Sequence, residues 1–213
     1  MELHFDAFDE PRMTGTLSTA SSAADALKLQ YYEEDDDRKA AFGHELSVKD
    51  WEDICEITET YGAILFGTPL VAVNTAHPIL KEMYAELTNG ERVFTFLCGH
   101  DSNITGIITA LDVKPHSLPH TLEKRTPIGS KIVFERWKSL DDGRDYISLK
   151  QVYQSLEQRR QRQELDLNNL PIVYALELNG LESNADGLYP YEDILNRFET
   201  SIAEYDHMVE TYK

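Results

Sequence analysis

A short apolar run that leads through glycine into polar residues is the strongest constraint on how this 213-residue chain folds. Residues 92–97 are Arg-Val-Phe-Thr-Phe-Leu, a composition typical of strands, and the turn residues Asn89 and Gly90 precede them. The run therefore predicts a buried strand. Apolar residues recur at three- and four-residue steps from Ile104 onward, which predicts a helix that begins near Ser102. A buried strand followed at once by a helix is typical of α/β proteins.

Two residues with acid–base side chains, His100 and Asp101, lie between the predicted strand and the predicted helix. In open α/β sheets, ligands bind at the carboxyl ends of strands, and a helix beginning near Ser102 directs its backbone N–H groups toward an anion. His100 is then a candidate phosphate-binding residue, and Asp101 a candidate proton donor or acceptor. The spacing leaves an alternative open, because Asp, Ser and Asn are also ordinary N-cap residues. For Asn103 the same two roles are open, a helix cap or a ligand contact.

Helical patterns dominate the first ninety residues. Apolar residues recur at helical spacing in residues 20–31, 51–66 and 73–87. Ser47 and Asp50 provide a capping start for the second of these helices. We therefore expect residues 1–90 to form a mostly helical cap region.

Strand patterns become frequent in the remaining residues, 91–213. Beyond the run at 92–97, three further strands are predicted, at 132–137, 146–153 and 172–178. Asp141–Gly143 predicts a hairpin turn between the first two of them, and a final helix is predicted over 191–209. The resulting fold class is α/β, a mixed sheet with flanking helices, together with a mostly helical subdomain.

The charge of the chain argues against several kinds of partner. The sequence holds 20 Lys and Arg against 38 Asp and Glu, a formal net charge of −18 at pH 7. A chain this acidic repels a nucleic-acid backbone and an anionic membrane surface, so neither is an expected partner. A phosphate site in such a chain needs its own local positive charge. No apolar run reaches the roughly 18 residues of a membrane span, and Met1 opens an acidic stretch without the apolar core of a signal peptide.

The sequence does not indicate metal or redox chemistry. Cys55 and Cys98 have apolar neighbours and no metal-ligand or Cys-x-x-Cys spacing, so we expect two buried free thiols. The acidic run over 33–37 lacks the alternating ligands and the glycine of a calcium loop, which favours a solvated turn. No cofactor is expected.

Several short blocks, in order along the chain, resemble one family. They are Asp25–Glu33 (DALKLQYYE), Gly99–Ile104 (GHDSNI), Thr109–Asp112 (TALD), Arg125–Trp137 (RTPIGSKIVFERW), Val152–Ser155 (VYQS) and the Asp186–Gly187 turn. In this order they resemble the C-terminal half of the histidine acid phosphatases, and most closely the glucose-1-phosphatase-like branch. The resemblance extends from about Ser18 to the C-terminal helix. It implies an incomplete histidine-acid-phosphatase-like fold.

The resemblance also implies roles for individual residues. In that family, a histidine of an Arg-His-Gly-x-Arg-x-Pro motif attacks phosphorus, and a His-Asp pair binds the phosphoryl group and protonates the leaving alcohol. His100 is thereby implied to bind phosphate and Asp101 to be the general acid, without a metal or cofactor. Glu33 either contacts a sugar substrate or begins the solvated acidic turn. The implied ligand is a small phosphorylated substrate, such as a sugar phosphate, or inorganic phosphate.

One motif of that family does not occur in this sequence. None of its histidines stands in an Arg-His-Gly, so these residues do not include the family's nucleophile. We expect a polypeptide that starts partway through the fold, as a truncated gene product, a fragment cut for expression or part of a split protein, and that is inactive alone. Strands without their neighbours expose edges and apolar surface, which predicts self-association or pairing with the N-terminal half.

The resemblance leaves two functions open. The first is an acid phosphatase acting on small phosphomonoesters, to which this chain contributes the proton donor. The alternative is a non-catalytic remnant or interaction module that binds phosphate or a phosphosugar weakly. The resemblance further implies a periplasmic or extracellular location.

Overall fold

The computed structural model describes residues 2–7 and 10–212, which fold into helices and short strands. The strands are β1 (Glu2–Phe5), β2 (Pro11–Thr14), β3 (Lys131–Lys138), β4 (Asp145–Tyr153), β5 (Ile172–Ala175) and β6 (Tyr189–Pro190). The helices are α1 (Thr16–Glu33), α2 (Asp37–Ala40), α3 (Val48–Leu65), α4 (Pro69–Thr88), α5 (Asp101–Ala110), α6 (Leu156–Arg160) and α7 (Tyr191–Thr211).

The chain divides into two compact units that alternate along the sequence. Unit 1 comprises Met1–Leu65, His116–Ser130 and Val152–Ile172. Unit 2 comprises Phe66–Pro115, Lys131–Gln151 and Val173–Lys213. Helix α4 clusters with unit 2 although it lies before residue 90, and the division into a helical region over 1–90 and an α/β region over 91–213 stays a prediction.

The three helices predicted before residue 90 are confirmed as α1, α3 and α4. Helix α3 begins at the predicted cap: Asp50 Oδ2 accepts a hydrogen bond from the Ser47 N–H at 2.7 Å, and Ser47 Oγ accepts one from the Asp50 N–H at 3.2 Å. This reciprocal pair satisfies two backbone donors that a helix start otherwise leaves without partners. Helix α4 begins at Pro69, whose fixed φ and missing N–H suit the first turn of a helix.

Unit 1 is built on helices α1 and α3. Its core consists of the buried residues Tyr31, Tyr32, Ala40, Ala41, Trp51, Cys55 and Leu122. The rings of Tyr31 and Trp51 stack with their centroids 4.3 Å apart, which joins the end of α1 to the start of α3. Strands β1 and β2 form an antiparallel hairpin in this unit.

Unit 2 combines a small sheet with three helices. The strand order is β3-β4-β5, and β6 pairs antiparallel with β4, with Ile147 opposite Tyr189. The core contains residues of the sheet, of α4, α5 and α7, and of the loops between them: Ala76, Leu80, Ile107, Ala110, Leu111, Ile147, Leu149, Leu176, Leu178, Tyr189, Ile194 and Phe198. The predicted strands at 132–137, 146–153 and 172–178 and the final helix are confirmed, with β5 ending early, at Ala175. The predicted α/β fold class is confirmed as well.

The strand predicted at 92–97 is wrong for this structure. Residues 91–100 form no regular secondary structure between α4 and α5, and all ten are exposed. A strand exists only as part of a pair, and among the described residues no other segment forms a ladder with this one. The burial predicted for Cys98 is wrong for the same reason, because Cys98 lies at the end of this exposed segment. Cys55 is a buried free thiol, as predicted.

Candidate active site

The His100–Asp101 pair lies at the start of α5. His100 is the N-cap residue with an extended backbone, φ −117° and ψ 173°, and Asp101 is the first residue of the helix. Both residues are exposed. The structure therefore presents an imidazole and a carboxylate to solvent at the end of a helix where backbone N–H groups lack partners within the helix.

Asn103 fixes the backbone of this helix start. Its Oδ1 accepts a hydrogen bond from the His100 N–H at 2.8 Å. Asp101 Oδ1 accepts one from the Ser102 N–H, also at 2.8 Å. Asn103 thus caps α5 in this structure, which is one of its two predicted roles, and its contact with a ligand stays a prediction.

Gly99 lies against the same cap. A Cβ built on Gly99 would stand 2.8 Å from Asn103 Oδ1, a distance that real Cβ atoms essentially never show. Any side chain at position 99 must therefore displace Asn103. The position of the Asn103 side chain therefore explains why a glycine precedes His100.

The opposite end of α5 is anchored in the core of unit 2. Ser201 Oγ of α7 donates a 2.7 Å hydrogen bond to the Ala110 carbonyl, and Arg197 Nη1 donates a 2.9 Å bond to the Leu111 carbonyl. Helix α5 passes close to α4 at Gly106, where a Cβ would lie 3.4 Å from Thr75 Oγ1, an ordinary van der Waals distance. His100 and Asp101 are thus carried by a helix with a buried, hydrogen-bonded end, as a precise site requires.

The backbone contributes positive charge at this helix start. A helix N-terminus carries roughly half an elementary charge, and no lysine or arginine occurs between Arg92 and Lys114. The Arg92 guanidinium contacts the Glu86 carboxylate. The arrangement can hold an anion at the start of α5 and move a proton through Asp101, but a phosphoryl group needs further cations.

Glu33 belongs to unit 1, where it is the exposed last residue of α1. Its carbonyl oxygen accepts a hydrogen bond from the Arg162 guanidinium. The acidic residues that follow form the turn into α2, in which Asp36 Oδ1 accepts a bond from the Arg38 N–H at 3.1 Å. A contact between the Glu33 carboxylate and a substrate stays a prediction.

The end of α1 is held by arginines that our sequence analysis did not single out. Arg160 lies over the Tyr31 ring at 4.1 Å and donates a 2.7 Å hydrogen bond to the Glu34 carbonyl. Arg159 lies over the neighbouring Tyr32 ring at 5.3 Å. With Arg162 these are three arginines within four residues of an otherwise acidic chain, a sequence signal that could have identified them.

The sequence patterns also did not indicate a buried cluster of ionisable side chains in unit 1. The Tyr32 hydroxyl donates a 2.6 Å hydrogen bond to Glu123 Oε2, and Lys28 Nζ lies 3.8 Å from Glu123 Oε1. Burial, followed by the negative charge of Glu123, raises the pKa of Tyr32 far above its ordinary value. Lys28 and Tyr32 are four residues apart on one helix face, but no local sequence signal points to Glu123, which is 91 residues away.

Within residues 2–7 and 10–212, no group of three or more His, Cys, Asp or Glu side chains is positioned to hold a metal ion. Over the same residues no single helix is long and apolar enough to cross a membrane, and α3 and α4 reach that length only as a bent pair. A cleft of about 740 Å³ in unit 1 is lined by residues that include Glu52, His120 and Lys124, and by none of the predicted site residues.

The chain is similar to curated enzymes over most of its length. It is 36% identical to the glucose-1-phosphatase of Providencia rettgeri over 192 residues, which cover 88% of the chain and 46% of the relative. It is also 36% identical to the glucose-1-phosphatase of Salmonella typhimurium, over 90% of the chain and 47% of the relative. The phytase AppA of Escherichia coli is 30% identical over 84% of the chain and 44% of the relative. The chain thus spans about half the length of these relatives, and no protein-family model matches it.

Solved structures show the same relationship. The phytase of Citrobacter braakii superimposes with a TM-score of 0.82 at 26% identity, over 94% of the chain and 52% of the phytase. The apo form of Hafnia alvei phytase gives a TM-score of 0.80 at 23% identity, over 94% of the chain and 51% of the phytase. The likeness falls on the C-terminal part of these enzymes, a mixed sheet with helices.

Proposed function

The chain belongs to the histidine acid phosphatase family, in which it corresponds to the C-terminal portion, and on that premise we propose that it contributes the proton donor to the hydrolysis of small phosphomonoesters such as sugar phosphates. Asp101 is the general acid, and His100 binds the phosphoryl group. The observation that carries the proposal is the placement of these two side chains, exposed and adjacent, at the capped start of α5.

The proton transfer that Asp101 performs follows from the leaving group. When the bond between phosphorus and the alcohol oxygen breaks, the protonated carboxyl of Asp101 gives its proton to that oxygen, so that an alcohol leaves and not an alkoxide. The carboxylate that remains takes a proton from the water that attacks the phosphoryl intermediate. The nucleophile is the histidine of the Arg-His-Gly motif, which is not among these 213 residues.

Binding of the phosphoryl group uses the helix start together with His100. The backbone N–H groups of the first turn of α5 and a protonated imidazole both stabilise negative charge on the phosphoryl oxygens. Because the chain carries a net charge of −18, these local donors must act against its general field. Asn103 contacts the substrate in addition to capping α5. The family likeness further supports a periplasmic or extracellular location for the whole protein.

The test uses a chimera in which the N-terminal part of the Providencia rettgeri glucose-1-phosphatase precedes these residues. We expect the chimera to release phosphate from glucose 1-phosphate and p-nitrophenyl phosphate at acid pH, and the 213 residues alone to release none. Asp101→Asn should slow glucose 1-phosphate hydrolysis by about 100-fold or more. It should slow p-nitrophenyl phosphate hydrolysis much less, because p-nitrophenolate leaves without a proton.

Two controls make this result specific. Asp141→Asn changes the same kind of side chain in the exposed turn between β3 and β4 and should leave both rates unchanged. His100→Ala should lower both rates together, because both substrates carry the same phosphoryl group. Equal losses for the two substrates in Asp101→Asn would exclude Asp101 as the general acid. A folded chimera that binds phosphate without turnover would favour a non-catalytic binding module.

A further inference from the structure

Unit 1 contains a cleft that the proposed function does not use. Its volume is about 740 Å³, which lies within the range of about 300–1,000 Å³ found for small-molecule sites. The lining residues come from the start of α3, the loop over 120–124, the start of α6 and the first residue of β5. The cleft is therefore large enough for an organic ligand.

The loop over 118–124 is held by hydrogen bonds of its backbone. The Leu156 N–H donates to the His120 carbonyl at 2.7 Å, and the Leu118 N–H donates to the Lys124 carbonyl at 2.8 Å. These bonds fix His120 in the left-handed region, at φ 59°, a conformation that costs energy for a residue with a side chain. One wall of the cleft is thus formed without a ligand, which lowers the entropic cost of binding.

Lys124 and Glu52 provide hydrogen-bonding groups of both kinds in the lining. Lys124 Nζ donates to Glu52 Oε1 at 2.7 Å and to the Thr121 carbonyl at 2.5 Å. Because an ammonium has three N–H groups, one donor remains, and Glu52 Oε2 has no donor within the described residues. The Lys124 and Glu52 side chains are 34% and 31% exposed, so these groups are accessible to a ligand.

His120 and Glu157 add a second pair of polar groups, and both residues are exposed. Within residues 2–7 and 10–212, no hydrogen bond or ion pair occupies the His120 imidazole. An uncharged imidazole donates through one nitrogen and accepts through the other. The lining also contains apolar residues, among them Val48, Leu122 and Leu156. Donors, acceptors and apolar surface therefore occur together in one cleft.

The charges of the lining argue against three classes of ligand. An anion would meet the carboxylates of Glu52 and Glu157 and the general field of a chain with a net charge of −18. A cation would lie beside the Lys124 ammonium, which already neutralises Glu52. An apolar ligand would remove that ion pair from water without replacing its hydrogen bonds to water. An uncharged ligand that carries both donors and acceptors avoids all three costs.

We propose that this cleft binds a neutral oligosaccharide. Each sugar hydroxyl both donates and accepts, so it can donate to Glu52 or Glu157 and accept from Lys124. Hydrogen bonds to ionised groups are the stronger ones, and the C–H faces of a sugar ring pack against apolar side chains such as Leu156. A volume of about 740 Å³ exceeds the space that one hexose fills, which favours a chain of sugars. Binding here needs no step of the proposed hydrolysis.

A titration followed by NMR tests this site. Maltotriose and cellotriose, which differ in the linkage between their glucose units, are each added to the isotopically labelled 213 residues. We expect at least one of them to shift the amides of Thr121, Leu122 and Ser155 saturably, with a Kd of about 1 mM. Amides of α7 should not shift. Glucose should bind more weakly, because it fills less of the cleft.

Variants with a matched control assign the binding to the lining. Glu52→Gln together with Lys124→Gln replaces the ion pair by neutral amides, without leaving one charge unpaired, and should raise Kd at least about tenfold. Lys49→Gln together with Asp53→Asn changes the exposed ion pair of the same helix and should leave Kd unchanged. His120→Gly removes the imidazole, adopts a positive φ without strain, and should raise Kd about threefold.

Several outcomes would overturn the proposal. They are the absence of saturable shifts at the lining amides with both trisaccharides in a folded chain, and an unchanged Kd in both the Glu52/Lys124 double variant and His120→Gly. A third is inorganic phosphate that shifts the same amides at lower concentration than either sugar, which would make the cleft an anion site. Because the titration requires no turnover, sugar binding combined with an inactive chimera would contradict the proposed function and leave this inference standing. Turnover by the chimera without sugar binding would do the reverse.

Discussion

Asn103 Oδ1 lies 2.8 Å from the backbone nitrogen of His100, so the residue that caps α5 also fixes the residue proposed to bind phosphate. The bond spans three residues and replaces one backbone partner that a helix start lacks. Stability of the helix and position of the imidazole therefore depend on one side chain. The first two predictions test how much this hydrogen bond contributes to stability.

Removal of the cap should destabilise the chain measurably. Asn103→Ala leaves the His100 N–H without its acceptor and should cost about 1 kcal/mol of unfolding free energy. For a chain of this size that lowers Tm by roughly 2–4 °C in thermal unfolding followed by circular dichroism. Asn103→Asp retains an acceptor and serves as the matched control. Equal Tm values for Asn103→Ala and the unmodified chain would contradict the prediction.

Gly99→Ala should act through the same hydrogen bond. The new Cβ displaces Asn103 Oδ1, so the variant should lose about as much stability as Asn103→Ala. The effects should not add, because both changes remove one interaction. The measurement is a double-mutant cycle of Tm values, and full additivity would show that Gly99 has another role.

Tyr32→Phe tests the buried carboxylate of unit 1. The variant removes the hydroxyl that donates to Glu123 Oε2 and leaves a buried charge with one partner fewer. We expect a loss of about 1.5–3 kcal/mol in urea unfolding, because hydrogen bonds to charged groups are the stronger ones. The neighbouring Tyr31→Phe is the control, and it should change stability by less than about 0.5 kcal/mol. Equal losses in the two variants would assign the effect to ring packing.

The two thiols should differ sharply in reactivity. Cys98 is exposed and should react at once with a disulfide reagent such as dithionitrobenzoate. Burial, followed by the charge of Glu123, raises the pKa of Cys55 to about 12, so Cys55 should react only after unfolding. Cys98→Ser should abolish the fast phase, whereas Cys55→Ser should leave it unchanged. Reaction of both thiols in the native chain would contradict the packing around α3.

The carboxyl of Glu59 makes the folding stability of unit 1 depend on pH, in a direction that follows from its pKa shift. Burial raises the pKa of this carboxyl above its ordinary value, although the Arg125 N–H donates to it at 2.7 Å. The folded chain therefore holds the proton more tightly than the unfolded chain, and this stabilisation is present below the unfolded pKa and lost as pH rises through the folded pKa. Glu59→Gln, which removes the ionisation, should gain in Tm over the unmodified chain as pH increases. A Tm difference that does not vary with pH would contradict this.

Local features of the fold could be predicted from sequence, and non-local ones could not. The Ser47–Asp50 cap and the three N-terminal helices follow from residues three or four positions apart, and the structure confirms them. The run at 92–97 has the composition of a strand but no partner among the described residues, and composition cannot report pairing. The predicted burial of Cys98 was wrong together with that strand.

In the candidate site, too, the local features could be predicted from sequence and the non-local ones could not. His100 and Asp101 are at the helix start where the sequence places them, because glycine, acid and amide residues at that spacing end one element and begin the next. The catalytic roles proposed for them rest on family likeness, since a helix cap and a phosphate site use the same residue types. The buried contact between Tyr32 and Glu123 joins residues 91 apart and leaves no periodic signal.

The exposed segment after α4 also determines how this chain behaves in solution. From Val93 to Cys98 it has six residues with no charge, no proline and no glycine, and two of them are phenylalanines. Short segments of that kind stack into steric zippers, the dry interfaces of amyloid fibrils. When the segment is uncovered, the chain carries a nucleus for aggregation directly beside its proposed proton donor. The segment that leads into the candidate site is therefore also one that is prone to aggregate while the chain folds.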